Sequence, residues 1–167
     1  AMNYQTYQPS PSLDSWVSCY WTLEVPKSNA AEKQRIVPDG TIEMAFILGD
    51  NIKRFTSENE FIIQPRAMVL GQTMKPFYIQ PVGEVNTFAI RFYPYGFANL
   101  IKDNIKTLLN KETHLKDLFT KEESVELELS IIEAVDTKER IDIIENFLLN
   151  RFQKAHTIDK IVSSIVD

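Results

Sequence analysis

Histidine and cysteine are scarce in this chain: two His and one Cys occur in 167 residues. A lone thiol, Cys19, cannot close an internal disulfide, which fits the reducing cytoplasm expected as its location. Both histidines, His114 and His156, lie in the helix-forming part beside Lys and Thr and read as surface side chains rather than a catalytic pair. A metal site on facing strands needs several His with a carboxylate, and the strand-rich part has no His at all. The five glycines are dispersed as turn glycines are, and no G-x-S-x-G, P-loop or G-x-G-x-x-G occurs. The expectation is a non-enzymatic chain without a metal or cofactor. No apolar run approaches the ~20 residues of a membrane-spanning helix, and the N-terminus lacks the basic start and apolar stretch of a secretory signal. Ala1 ahead of Met2 reads as a cloning remnant. Positive charge is also short: 18 Lys and Arg face 23 Asp and Glu, for a net charge of −5. Without a basic stripe to displace phosphate counterions, direct nucleic-acid binding by this segment is disfavoured.

What is present divides into two textures. No proline follows Pro94, whereas the stretch before it alternates short apolar runs with turn residues, the punctuation of strands. In Trp16–Val25, the residues Val17, Cys19, Trp21, Leu23 and Val25 share one face. Pro38-Asp39-Gly40 reads as a tight turn joining Arg35-Ile36-Val37 to Thr41–Leu48, with Ile42, Met44, Phe46 and Leu48 on one face. Further strands are expected at Glu60–Ile63, Met68–Gly71, Phe77–Gln80 and Val85–Tyr93, a spacing that suggests a sandwich or barrel. Helices follow: a short one at Phe97–Lys102, one at Glu122–Val135 (whose Val125, Leu127, Leu129 and Ile131 also alternate like a strand), and a long one at Lys138–Gln153 capped by Asp136 or Thr137. A last helical segment begins near Thr157.

Five residues stand out as polar or amphipathic groups beside strongly apolar strand residues: Trp21, Glu43, Gln72, Arg91 and Tyr93 are the candidate ligand-binding set. Arg91 shares a face with Val85, Thr87 and Ala89. If that face lines a barrel, its planar fork suits an anionic ligand; the alternatives are pairing with a carboxylate such as Glu43 to hold strands in register, or pointing to solvent. Asp39 and Glu43, or Glu24 and Glu43, are imaginable acid pairs, but nothing in the sequence brings them together. On the long helix, Ile141, Ile144, Leu148 and Phe152 form a stripe that Ile143, Phe147 and Leu149 widen. The arc is broader than the roughly 100° of a one-sided amphipathic helix, so Ile141, Ile144, Phe147, Leu148 and Phe152 are candidate dimerisation residues.

Several segments, in order, resemble the N-terminal part of AraC-type transcriptional regulators of a little-characterised subgroup. They are Tyr7-Gln8-Pro9-Ser10-Pro11-Ser12-Leu13 with Val17-x-x-Tyr20-Trp21, then Val37-Pro38-Asp39-Gly40-Thr41-Ile42-Glu43. Leu70-Gly71-Gln72 before Lys75-Pro76-Phe77 follows, then Ile90-Arg91-Phe92-Tyr93-Pro94-Tyr95-Gly96-Phe97. The last is Arg140-Ile141-x-x-Ile144-Glu145-x-Phe147-Leu148-Leu149-x-Arg151. The resemblance implies an α+β fold: a cupin-like β-barrel, or double-sheet sandwich, followed by C-terminal helices. It implies an effector-sensing and dimerisation domain over residues 2–155 and the start of a truncated helix-turn-helix domain over 156–167, with Ile158, Ile161, Val162 and Ile165 as an apolar stripe. The partners implied are a second copy, an unknown small-molecule effector, and operator DNA reached only through a further C-terminal domain. The alternatives are a stand-alone binding or interaction module and a cupin-like enzyme.

Overall fold

A computed structural model describes residues 2–28 and 32–166, the side chains of residues 153–160, 163 and 166 excepted. Two antiparallel sheets are followed by helices, the α+β architecture expected. The larger sheet runs in the order β1 (Asn3–Tyr7), β2 (Val17–Val25), β9 (Val85–Phe92), β4 (Ile42–Ile47), β7 (Ala67–Leu70) and β10 (Glu112–His114). The smaller has the order β3 (Gln34–Ile36), β8 (Phe77–Pro81), β5 (Ile52–Phe55) and β6 (Phe61–Ile63). Then come α1 (Pro94–Ala98), α2 (Lys121–Glu133) and α3 (Thr137–Val166).

The central strands are apolar on both faces because both are covered. Phe88, Ile90 and Phe92 of β9 join Met44 and Phe46 of β4 and Tyr20 of β2 in a core shared with Leu127 and Ile131 of α2 and Ile144 and Leu148 of α3. The opposite face, with Ala89, Ala45, Ile47 and Met68, packs on Ile52 and Ile79 of the smaller sheet. Period-2 alternation thus sorts each strand into a helix-side and an inter-sheet set.

The helices are fastened by specific polar contacts. Thr120 caps α2, its hydroxyl accepting from the Glu123 amide. Asp136 caps α3 by accepting from the Glu139 amide at 2.9 Å, one of the two caps foreseen. Arg140 donates to the carbonyls of Ile131 and Ala134, satisfying the end of α2 that has no intrahelical partner. Glu145 ties α3 to the sheet, accepting from the Tyr20 hydroxyl at 2.8 Å and the Ser10 amide at 2.9 Å.

Pro38-Asp39-Gly40 does join β3 to β4, and it does so as a crossover between sheets, since β3 pairs with β8 in one sheet and β4 with β7 and β9 in the other. Several expectations are corrected. Strands β1, β5 and β10 were not foreseen, and His114 ends β10 instead of lying in a helix. The short helix begins at Pro94 and ends at Ala98, earlier than Phe97–Lys102, because proline suits a helix's first turn. No break separates a segment near Thr157: α3 is one helix of 30 residues. The side chains of His156 and Ile158 lie outside the described residues; Ile161, Val162 and Ile165 are exposed.

The dimerisation set is spent inside the chain. Ile144, Leu148 and Phe152 are buried, and Ile141 and Phe147 pack against the same core. Phe152 stacks on Trp16 at 4.3 Å between ring centroids, and Phe147 meets Phe119 edge-on at 5.4 Å. The wide apolar arc covers the larger sheet on one side and the loop carrying Phe119 on the other. Among the described residues, no helix is long and apolar enough to cross a membrane.

Candidate functional site between the two sheets

Strand register sets three rows across the inner face of the larger sheet. Cys19, Arg91 and Glu43 stand side by side on β2, β9 and β4; then Trp21, Ala89 and Ala45; then Leu23, Thr87 and Ile47. Directly opposed residues point to the same face. The middle row puts two alanines opposite each other where larger side chains would meet the smaller sheet. A cavity of about 290 Å³ lies there, its apolar wall including Leu23, Ala45, Ile52, Met68 and Ile79. Two other concavities, beside Arg54 and Tyr78 and between α2 and α3, are more open to solvent. The inter-sheet cavity combines an apolar enclosure with inward polar groups, the usual character of a small-molecule site.

At one end, Arg91 Nε donates to Glu43 Oε1 at 3.0 Å. Burial pushes the Glu43 carboxyl above its ordinary range, while the hydrogen bond and charge of Arg91 pull it back. Burial works against the Arg91 charge too, but Glu43 outweighs it and keeps the guanidinium protonated. The Trp21 indole Nε1 is buried beside this pair; it lowers the Glu43 pKa, yet its geometry falls short of a full hydrogen bond. Burial also raises the Cys19 thiol pKa, so the small buried residue expected there stays an uncharged thiol. Asp39 lies at the same end, its Oδ1 taken by the Thr41 amide and hydroxyl. The acid pair Asp39 and Glu43 does share this cavity end.

Farther along, Gln64 is 5% exposed and donates to Glu112. Glu112 also accepts from Arg54 at 2.8 Å, and the Arg54 guanidinium lies 3.8 Å from the centroid of Phe77. This cluster joins the smaller sheet to β10 and fixes the wall formed by Phe77.

Of the five candidate residues, Trp21, Glu43 and Arg91 line the cavity. Both stated geometries of Arg91 hold at once: it faces inward and it pairs with Glu43. Gln72 and Tyr93 do not line it. Gln72 donates to the Gly40 carbonyl at 3.0 Å and accepts from the Asn110 amide, supporting the crossover. Tyr93 lies beyond the end of β9, where the chain turns into α1, and stacks on Tyr95 with ring centroids 5.6 Å apart. Thr87 and Gln64 belong to the cavity without having been singled out, and Asp39, named only as a turn residue and a possible acid partner of Glu43, lines it too. Thr87 was legible only as a member of the Arg91 face; Gln64, just after β6, carried no periodic signal. Among the described residues, no three His, Cys, Asp or Glu side chains cluster as metal ligands would.

No curated protein matches this sequence. Two solved structures show weak overall likeness. One is an HTH_3 family transcriptional regulator from Vibrio cholerae, with a TM-score of 0.40 and 16% identity over 56% of this chain and 51% of that one. The other is Fe(II)-HppE with the alternative substrate (S)-1-HPP, with a TM-score of 0.40 and 17% identity over 55% of this chain and 49% of that one. This chain thus spans about half the length of each. The family match is broader: residues 5–114, from β1 through β10, fit the family described as "Domain of unknown function (DUF6597)", and the chain belongs to that family.

Proposed function

We propose that this chain is a non-enzymatic sensor domain of an AraC-type regulator, taking a small-molecule effector between its two sheets. The observation that carries this reading is the apolar cavity of about 290 Å³ with the Arg91–Glu43 pair in its wall. Such a space is roughly twice the ~150 Å³ that accommodates a benzene molecule in an apolar protein interior. The resemblance of the Val37–Glu43 and Ile90–Phe97 segments to AraC-type regulators supplies the regulatory context. With a net charge of −5, the chain leaves operator DNA to a further domain.

A thermal-shift screen of chemically diverse small molecules tests the sensing role, with Ala45→Leu as the control that fills the cavity. Hits should raise the melting temperature of the wild type and not of the variant. No hits, or equal shifts in both proteins, would refute the site. The intact gene product should then change its operator occupancy when a hit is added. Association with a second copy belongs to the same proposal. With Ile144, Leu148 and Phe152 buried, its contact falls on the exposed α2 residues Val125, Leu129 and Ile132.

A further inference from the structure

Thr87 is 7% exposed and lines the cavity. Its cross-strand neighbours on the inner face, Leu23 and Ile47, are apolar and offer it nothing. A hydroxyl set in an apolar stretch of cavity wall is placed to meet a ligand atom. Arg91, the obvious anion grip, stands four residues along the same strand, roughly 13 Å away. Its charge is already matched by Glu43 at 3.0 Å. A ligand carboxylate would have to share that guanidinium with Glu43 and would face the like charge of Glu43. A ligand ammonium would be stripped of water beside Arg91, while Asp39 sits at the exposed mouth where solvent screens it.

Building on the sensing role proposed above, we infer that the effector is uncharged, with an apolar body and a hydroxyl or carbonyl oxygen held by Thr87. The Arg91–Glu43 pair then closes one end of the site and rejects anions instead of recruiting them. This reverses the anionic ligand that Arg91 suggests when read alone.

Three probes sharing one eight-carbon chain test the head group: 1-octanol, octanoate and octylammonium, titrated calorimetrically into the whole chain. 1-Octanol should bind at least about tenfold more tightly than either ion. Thr87→Val should weaken 1-octanol by about fivefold, the scale of one neutral hydrogen bond, without lowering the melting temperature. Glu43→Gln, which leaves Arg91 unmatched, should turn the preference toward octanoate. The inference is overturned if octanoate or octylammonium binds best to the wild type, if Thr87→Val has no effect, or if none of the three binds. A charged hit from the diverse screen that is lost in Ala45→Leu would overturn the uncharged effector while leaving the sensing role standing.

Discussion

Replacing Arg91 with Met isolates the electrostatics of the cavity. The substitution keeps apolar bulk on β9 but leaves the Glu43 carboxylate, with 16% of its side chain exposed, without its partner. Removing one member of a fully buried ion pair costs about 3–5 kcal/mol. Here the Arg91 side chain keeps 28% of its surface exposed, so solvent screening brings the expected loss to about 2 kcal/mol at pH 7. The loss must depend on pH in a definite direction. The folded-state pKa of Glu43 already lies above its ordinary 4.5, and Arg91 restrains it by hydrogen bond and charge, so the variant raises it further. A group with a raised folded-state pKa contributes its stability fully below the unfolded value, and that contribution is lost as pH climbs through the folded value. The deficit of Arg91→Met relative to wild type should therefore grow as the pH climbs past the raised folded-state pKa that Glu43 has in the wild type. Near pH 4 the carboxyl is neutral, so the attraction between opposite charges is gone and only the guanidinium's hydrogen bond to an uncharged carboxyl is missing. Urea denaturation near pH 4 and near pH 7 reads the difference, and Glu43→Gln in the Arg91→Met background should remove the slope. A deficit independent of pH, or none at pH 7, would refute a coupled pair in a low-dielectric wall.

Tyr20→Phe removes the hydroxyl that donates to Glu145 and should cost about 1.5–3 kcal/mol by chemical denaturation, the range for a hydrogen bond to a charged group. Gly71→Ala would drive a Cβ into the Leu108 carbonyl; because backbone cannot step aside as a side chain can, circular dichroism should show a loss of several kcal/mol or no folded protein. Leu129→Glu, on the exposed face of α2, should leave monomer stability within about 0.5 kcal/mol but shift light scattering toward monomer.

How much of this was legible in the sequence varied with burial. On β9 the alternation of Val85, Thr87, Ala89 and Arg91 against Phe88, Ile90 and Phe92 fixed the inner face directly, because both faces are covered by different layers. The edge strands gave no such signal. Asn3–Tyr7 is exposed over four of its five residues, and Glu112–His114 has no apolar side chain; it is held by its register with β7 and by the ion pair of Glu112 with Arg54. Ile52–Phe55 is only four residues long, too short for periodicity to separate from a loop. Turn chemistry at Pro38-Asp39-Gly40 specified the bend but not which sheet receives the next strand. The wide arc of α3 was ambiguous for a similar reason: apolar width does not reveal whether the second neighbour is Phe119 of the same chain or another copy. Thr87 escaped notice because its importance lies in what surrounds it, two apolar cross-strand neighbours and an open space made by Ala45.

Nuclear magnetic resonance mapping of a hit from the small-molecule screen onto the assigned spectrum tests the sensing site most directly. Saturating compound should shift the Trp21 indole signal and the Thr87 and Arg91 amides on β2 and β9, and the same compound should shift none of them in Ala45→Leu. Shifts confined to the groove between α2 and α3, or the same shifts in the filled variant, would contradict a ligand site between the sheets.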